Sequence, residues 1–253
     1  MYFGMCTTTP SDLYLLKEYG YTSFEGNFQF IRTMDHENFE ALRRAVEDTG
    51  VVLEGMNCFA STEVRFLGWS DEEADAYFES GIARAKPLGL KYMVIGSGRA
   101  RMAPEGMSHE EGMERLIKRF RRFAEIADTY QVALYIEALR PYETDMINTI
   151  DEAVAFCKAV NHPNVGCVAD FYHMKTVGDA FENIAKAGSL LKHIHVATAD
   201  RRIPLMSDKA EVMAMAAALK TAGYNGAVVL EGAAEPNTET ALKEFSEQFM
   251  LFE

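Results

Sequence analysis

Short runs rich in β-branched and aromatic residues recur along the chain, each followed by an amphipathic stretch. That alternation predicts parallel strands joined by crossover helices. Eight runs read as strands: residues 1–7, 21–28, 51–59, 92–98, 132–139, 165–170, 191–197 and 226–232. Several are near-continuously apolar, as strands covered on both faces are. Between the fourth and fifth, residues 108–130 set Met113, Leu116, Ile117, Phe120, Phe123, Ala124 and Ala127 on one helical face and charge on the other. Ser70 in "SDEE" and Ser108 in "SHEE" put a capping hydroxyl ahead of first-turn acids, so helices begin there. Gly89, Gly188 and Gly223 each close a helical run before a strand, where a left-handed residue is needed.

Eight βα units in 253 residues predict an α/β fold, a single (β/α)8 barrel spanning residues 1–253. No GxGxxG follows the first strand, which disfavours the open doubly wound alternative. A composition 48% hydrophobic and 25% charged is that of an ordinary globular protein. The formal charge of −13 turns away phosphate backbones and anionic lipid, and the one basic cluster, "KRFRR" (residues 118–122), fits the polar face of a helix. Nucleic acid and membrane are therefore not expected partners. No apolar run is long enough to span a bilayer, and the start "MYFGMCTTTP" lacks the features of a signal peptide, so a cytoplasmic location is expected. Cys6, Cys58, Cys157 and Cys167 form no CxxC pair and read as reduced, buried thiols.

In a barrel of this type chemistry sits at the C-terminal ends of the strands. Glu137, Asp170, His195 and Glu231 lie at or near the ends of strands five to eight, which are neighbours around the barrel. Singly, each is an ordinary cap, loop residue or core histidine. Together, three carboxylates and an imidazole at one level repel one another and lose solvation unless a cation compensates them. The oxygen and nitrogen donors suit Mn²⁺, Mg²⁺, Co²⁺ or Zn²⁺, and the lack of thiolate argues against a closed structural zinc site. Glu25 and Glu54, in "FEG" and "LEG", have no obvious partners and read as structural or secondary pocket acids.

The order Glu137, Asp170, His195, Glu231, with "VADFYHM" around the Asp and "HIHVATADRRIP" around the His, resembles the xylose isomerase-like (β/α)8 sugar isomerases and epimerases. Within them it is most similar to the ketose 3-epimerases of the D-tagatose and D-psicose group, with the hydroxypyruvate isomerases nearby. Spacings of 33, 25 and 36 residues between the four positions agree with the epimerases. The resemblance implies one divalent metal, Mn²⁺ first, held by Glu137, Asp170, His195 and Glu231. It also implies that Glu137 and Glu231 are the catalytic acid/base pair on opposite faces of the sugar. His173, Arg201 and Glu143 would bind substrate oxygens, and His193 would support the metal histidine. The expected reaction is ketose 3-epimerisation by proton removal α to the ketone through a metal-stabilised enediolate. Two departures bear on the substrate: Thr198, Ala199 and Leu205 replace the usual residues after "HIHV", and the chain is nearer in length to a hydroxypyruvate isomerase.

Hydroxypyruvate-type aldose–ketose isomerisation and a metal-dependent lyase reaction (inosose dehydration or C-glycoside cleavage) use the same first step and stay open as alternatives. A non-catalytic sugar-binding barrel would leave the four ligands a coincidence. An apurinic-site endonuclease needs more than the six histidines present and a less acidic surface. "GSGRAR" (residues 96–101) reads either as a phosphate cradle or as arginines pairing with acids at the mouth, so phosphorylated and free sugars both remain. Trp69, Phe59, Phe66 and Phe171 read as core residues with pocket walls as the alternative. The expected partner is a small sugar or keto-sugar; a homo-oligomer or a partner subunit is left open.

Overall fold

The chain closes its eight strands into one barrel in the order β1 to β8, every pair parallel. A computed structural model describes all residues from 1 to 253. The strands are β1 (Tyr2–Cys6), β2 (Ser23–Asn27), β3 (Val52–Asn57), β4 (Tyr92–Ile95), β5 (Ala133–Glu137), β6 (Val165–Asp170), β7 (Leu191–Val196) and β8 (Ala227–Leu230). Each lies within its predicted run; β6 coincides with it and the others are shorter at one or both ends. The outer layer holds α1 (Pro10–Glu18), α2 (Phe28–Thr33), α3 (His36–Thr49), α4 (Asp71–Ala85), α5 (His109–Thr129), α6 (Ile150–Val160), α7 (Phe171–Val177), α8 (Lys209–Thr221) and α9 (Thr238–Ser246). No helix is long and apolar enough to cross a membrane.

Local sequence accounts for the boundaries. Ser70 and Ser108 cap α4 and α5 as read, each in a capping box with the acid three residues on, Glu73 and Glu111. Gly89 and Gly223 have left-handed φ of 108° and 65°. Gly188 differs: its ψ of −129° lies outside the left-handed helical well, and the segment before β7, Phe181–Leu190, is a kinked 3-10 run. The apolar face of α5 buries Leu116, Phe120, Phe123, Ala124 and Ala127 against the barrel. Within "KRFRR", Arg119 is not on a solvated face: it is buried, donating to the Trp69 and Ser70 carbonyls and facing Asp71 at 3.1 Å. Phe59, Phe66 and Phe171 belong to the core and Trp69 packs against it.

The cysteines are all free, but the expectation that all are buried fails. Cys157 and Cys167 are buried, the first on α6 and the second on β6. Cys6 ends β1 half-buried and Cys58 follows β3 exposed, so both reach the barrel mouth, where packing against helices has ended.

Candidate active site

Four strand ends bring Glu137, Asp170, His195 and Glu231 to one point. Their donor atoms all lie within 4.8 Å of one another. Glu137 ends β5, Asp170 ends β6, and the β6–β7 register sets Asp170 directly beside His195. Glu231 follows β8 and keeps its backbone N–H on the Val196 carbonyl at 3.0 Å, so the ladder carries it to the same level. His195 Nδ1 lies 2.8 Å from Glu137 Oε1 and 3.4 Å from Glu231 Oε2. Asp170 Oδ1 accepts from the Tyr172 N–H at 2.7 Å, which leaves Oδ2 for the site.

Space for this cluster depends on Gly96. A Cβ there would stand 2.3 Å from Glu137 Oε2, so any other residue displaces the carboxylate. Gly98 likewise backs onto the Glu143 carbonyl at 2.6 Å. Arg101 is wholly buried and donates to the carbonyls of Ile95, Gly96, Glu137, Met146 and Ile147 at 2.8–3.3 Å. At Arg101, therefore, "GSGRAR" offers neither a phosphate ligand nor a partner for acids. It clasps the β4 loop to the β5–α6 loop beneath Glu137.

The sequence reading left Glu25 without partners; the fold supplies two. Glu25, fully buried on β2, puts Oε1 3.0 Å from His195 Nε2 and Oε2 3.0 Å from His193 Nε2. His193 and His195, two apart on β7, share its inward side, their rings edge-on at 4.7 Å. His193 thus meets Glu25 rather than the four donors. A carboxylate behind an imidazole fixes which nitrogen faces the site, here Nδ1. Glu54 does not join them: it pairs with Lys91, where β4 begins, at the other end of the barrel. Asn57, which no motif signalled, ends β3 and donates to Glu231 Oε1 at 2.9 Å.

The three remaining candidates form one wall. Glu143 Oε1 accepts from Arg140 Nε at 2.8 Å and lies 3.4 Å from Arg201 Nη1, while Arg201 Nη2 is 3.9 Å from Glu231 Oε2. Both guanidiniums sit over the Tyr172 ring, at 5.1 and 5.0 Å. Arg201 holds a left-handed φ of 59° in the 198–202 turn, an uncommon conformation for a non-glycine residue. His173 is buried, with Nε2 3.7 Å from Asp170 Oδ2. Its Nδ1 lies 3.3 Å from the Arg140 N–H and accepts from it, so in the neutral ring Nε2 carries the proton. A cleft of about 450 Å³ opens over the site, with Cys6, Glu25, Asn57, Arg201 and Glu231 among its walls. A larger cleft of about 650 Å³ lies at residues 104–119 on the outer surface and holds none of the strand-end residues.

The charges are out of balance. Burial, with the Glu137 and Asp170 charges beside it, pushes the Glu231 carboxyl well above the carboxylate range against the pull of His195 and Arg201. Burial also works to raise Glu137 and Glu25, but the histidines outweigh it and hold both low, His195 and His173 for Glu137, His195 and His193 for Glu25. His195 is driven well up by Glu25, Glu231 and Glu137 in spite of its burial. Surplus negative charge among converging oxygens, with one imidazole nitrogen, is what a hard or borderline divalent cation fits.

Residues 13–249 match the xylose isomerase-like TIM barrel family. The chain belongs to that family. Among curated proteins it is 35% identical over 119 residues to the D-psicose 3-epimerase of Ruminiclostridium cellulolyticum, covering 47% of this chain and 40% of that one. It is 32% identical over 112 residues to the 3-dehydro-D-guloside 4-epimerase of Escherichia coli, covering 43% and 41%. The match thus spans about two fifths of the length of these relatives. A crystal structure of D-psicose 3-epimerase in the presence of D-fructose superposes with a TM-score of 0.83 over 100% of both chains at 19% identity, a likeness of fold.

Proposed function

We propose that the protein is a divalent-metal-dependent epimerase of free ketoses, acting at C3. The observation that carries this reading is the convergence of three carboxylates and one imidazole from four adjacent strand ends beneath an open cleft. The similarity to curated epimerases supports the sugar class. Glu137, Asp170, His195 and Glu231 hold the metal, Mn²⁺ first among ions suited to these donors. When bound, the cation supplies the positive charge that offsets the negative charge a ketose gains on losing a proton beside its carbonyl.

The remaining work falls to the chain's own groups. Glu137 comes from β5 and Glu231 from the end of β8, and inversion at one carbon requires that one take the proton and the other return one to the opposite face. Arg201, Glu143 and the Nε2 proton of His173 orient substrate oxygens, with Arg140 and Tyr172 bracing them. A free sugar fits better than a phosphorylated one, because Arg101 is spent on carbonyls and Arg140 on Glu143.

The test is NMR in D₂O with Mn²⁺ and D-psicose or D-fructose. Deuterium is expected at C3, with interconversion of the two, and none in Asp170→Ala protein. Deuterium at C1, or loss of water or a sugar from a keto-substrate without inversion, would replace epimerisation with isomerase or lyase chemistry.

A further inference from the structure

We propose that Asn57 is a positioning residue for Glu231, acting within a closed ring of side chains to which β1 to β3, strands that hold no metal ligand, supply three members. Strands β1 to β3 contribute nothing to the four-donor cluster, yet their ends touch two of its members from behind. The Asn57 Nδ2 group is 2.9 Å from Glu231 Oε1 and 3.3 Å from Cys6 Sγ, one N–H for each. The amide turns its NH₂ toward both, with Glu231 accepting at Oε1. Cys6 Sγ is 3.8 Å from Glu25 Oε1, the oxygen that also faces His195 Nε2 at 3.0 Å. His195 Nδ1 returns to Glu231 Oε2 at 3.4 Å. Glu231, Asn57, Cys6, Glu25 and His195 thus close on themselves.

Side-chain bonds at a strand end commonly go to backbone. Both bonds from Asn57 go instead to side chains of the site. The ring divides the labour of the Glu231 oxygens: Oε1 is engaged by Asn57, and Oε2 is turned toward His195 and Arg201. Glu231 needs this hold more than the other donors. Its side chain is 16% exposed against 6% for Glu137, 2% for Asp170 and 0% for His195, so packing restrains it least. Glu137 has its own restraints, His195 and the Gly96 wall. Loss of the Asn57 amide therefore acts on one of the two glutamates and not on both alike.

The kinetic arm of the test rests on the epimerase reading; the metal arm does not. Wild-type, Asn57→Ala and Asn57→Asp proteins are titrated with Mn²⁺ and followed by EPR of the bound ion. Deuterium wash-in at C3 is then measured at early times from D-fructose and from D-psicose separately. Mn²⁺ affinity is expected to fall about 10- to 100-fold, as for residues that support a ligand. Asn57→Asp donates nothing to Glu231 Oε1 either, so its wash-in should be at least as unequal between the epimers as in Asn57→Ala. Wash-in from one epimer should fall at least about tenfold more than from the other, with melting temperature retained. Unchanged Mn²⁺ affinity and EPR signal, or equal slowing of the two epimers, would overturn the proposal. If wild-type protein exchanges neither sugar, the epimerase reading fails and the Mn²⁺ titration alone decides Asn57. If Asn57→Ala does not fold, Asn57→Ser, which keeps one donor, and Cys6→Ala, which opens the ring elsewhere, carry the same comparison.

Discussion

Alanine at position 96 adds one methyl group to a loop that has no room for it. The new Cβ would stand 2.3 Å from Glu137 Oε2, whereas ordinary contact begins at 3.4 Å, so the carboxylate must retreat by about 1.1 Å. It cannot do so freely. Its other oxygen lies 2.8 Å from His195 Nδ1, and the Glu137 carbonyl is held by Arg101 at 2.8 Å. Misplacing a reacting group by about 1 Å costs roughly 100-fold in rate, equivalent to about 2.7 kcal/mol. Gly96 is not among the glycines with positive φ, so alanine is tolerated by the backbone and the loss should appear at the site rather than in the fold. Gly96→Ala is therefore expected to lower C3 exchange about 100-fold and to weaken Mn²⁺ binding, with little change in melting temperature. Wild-type affinity and rate in a folded variant would refute the reasoning, as would a loss fully explained by unfolding.

Three further outcomes follow from the same geometry. Arg101→Met leaves carbonyls of five residues short of their donor in a dry interior and should cost about 4 kcal/mol, read by urea denaturation; a loss below about 1 kcal/mol would show that water or a shifted loop replaces it. Glu25→Gln removes the charge behind both histidines and should weaken Mn²⁺ binding 10- to 100-fold at neutral pH, so an unchanged isotherm would deny Glu25 any hold on His195. At the β7–α8 turn, Arg202 holds the Asp208 carboxyl below its ordinary value. A depressed carboxyl contributes stability above its unfolded pKa of about 4, and that stability is lost as pH falls through the lower folded value. Asp208→Asn should thus be less stable than wild type at pH ~7 and match it by pH ~2; parallel stability curves would sink the assignment.

Most strands are readable because they are apolar runs rich in β-branched or aromatic residues, and burial on both faces writes their pattern locally; β2, Ser-Phe-Glu-Gly-Asn, is the weakest such run. Helix starts are readable at Ser70 and Ser108 for the same reason, since a capping box is complete within four residues. Asp170 and His195 stand out as polar residues ending apolar runs. Gly188, Cys58 and Arg119 escape local reading because loop path and helix contacts, not neighbours in sequence, set their surroundings.

By itself the sequence determined the barrel, its eight units and the four residues that strand ends could bring together, because periodicity and position within a strand are one-dimensional facts. Only the tertiary structure decided what stands behind them. Glu25 and His195 are 170 residues apart, and Asn57 and Glu231 are 174 apart. No spacing rule links such pairs. Closure of the barrel does, by setting β8 against β1 and turning both ends of the chain toward one axis. The same closure turned Arg101 from a candidate phosphate ligand into a buried clasp, since the carbonyls it binds lie on the ends of β4 and β5 and the loops after them, which meet only in the folded barrel.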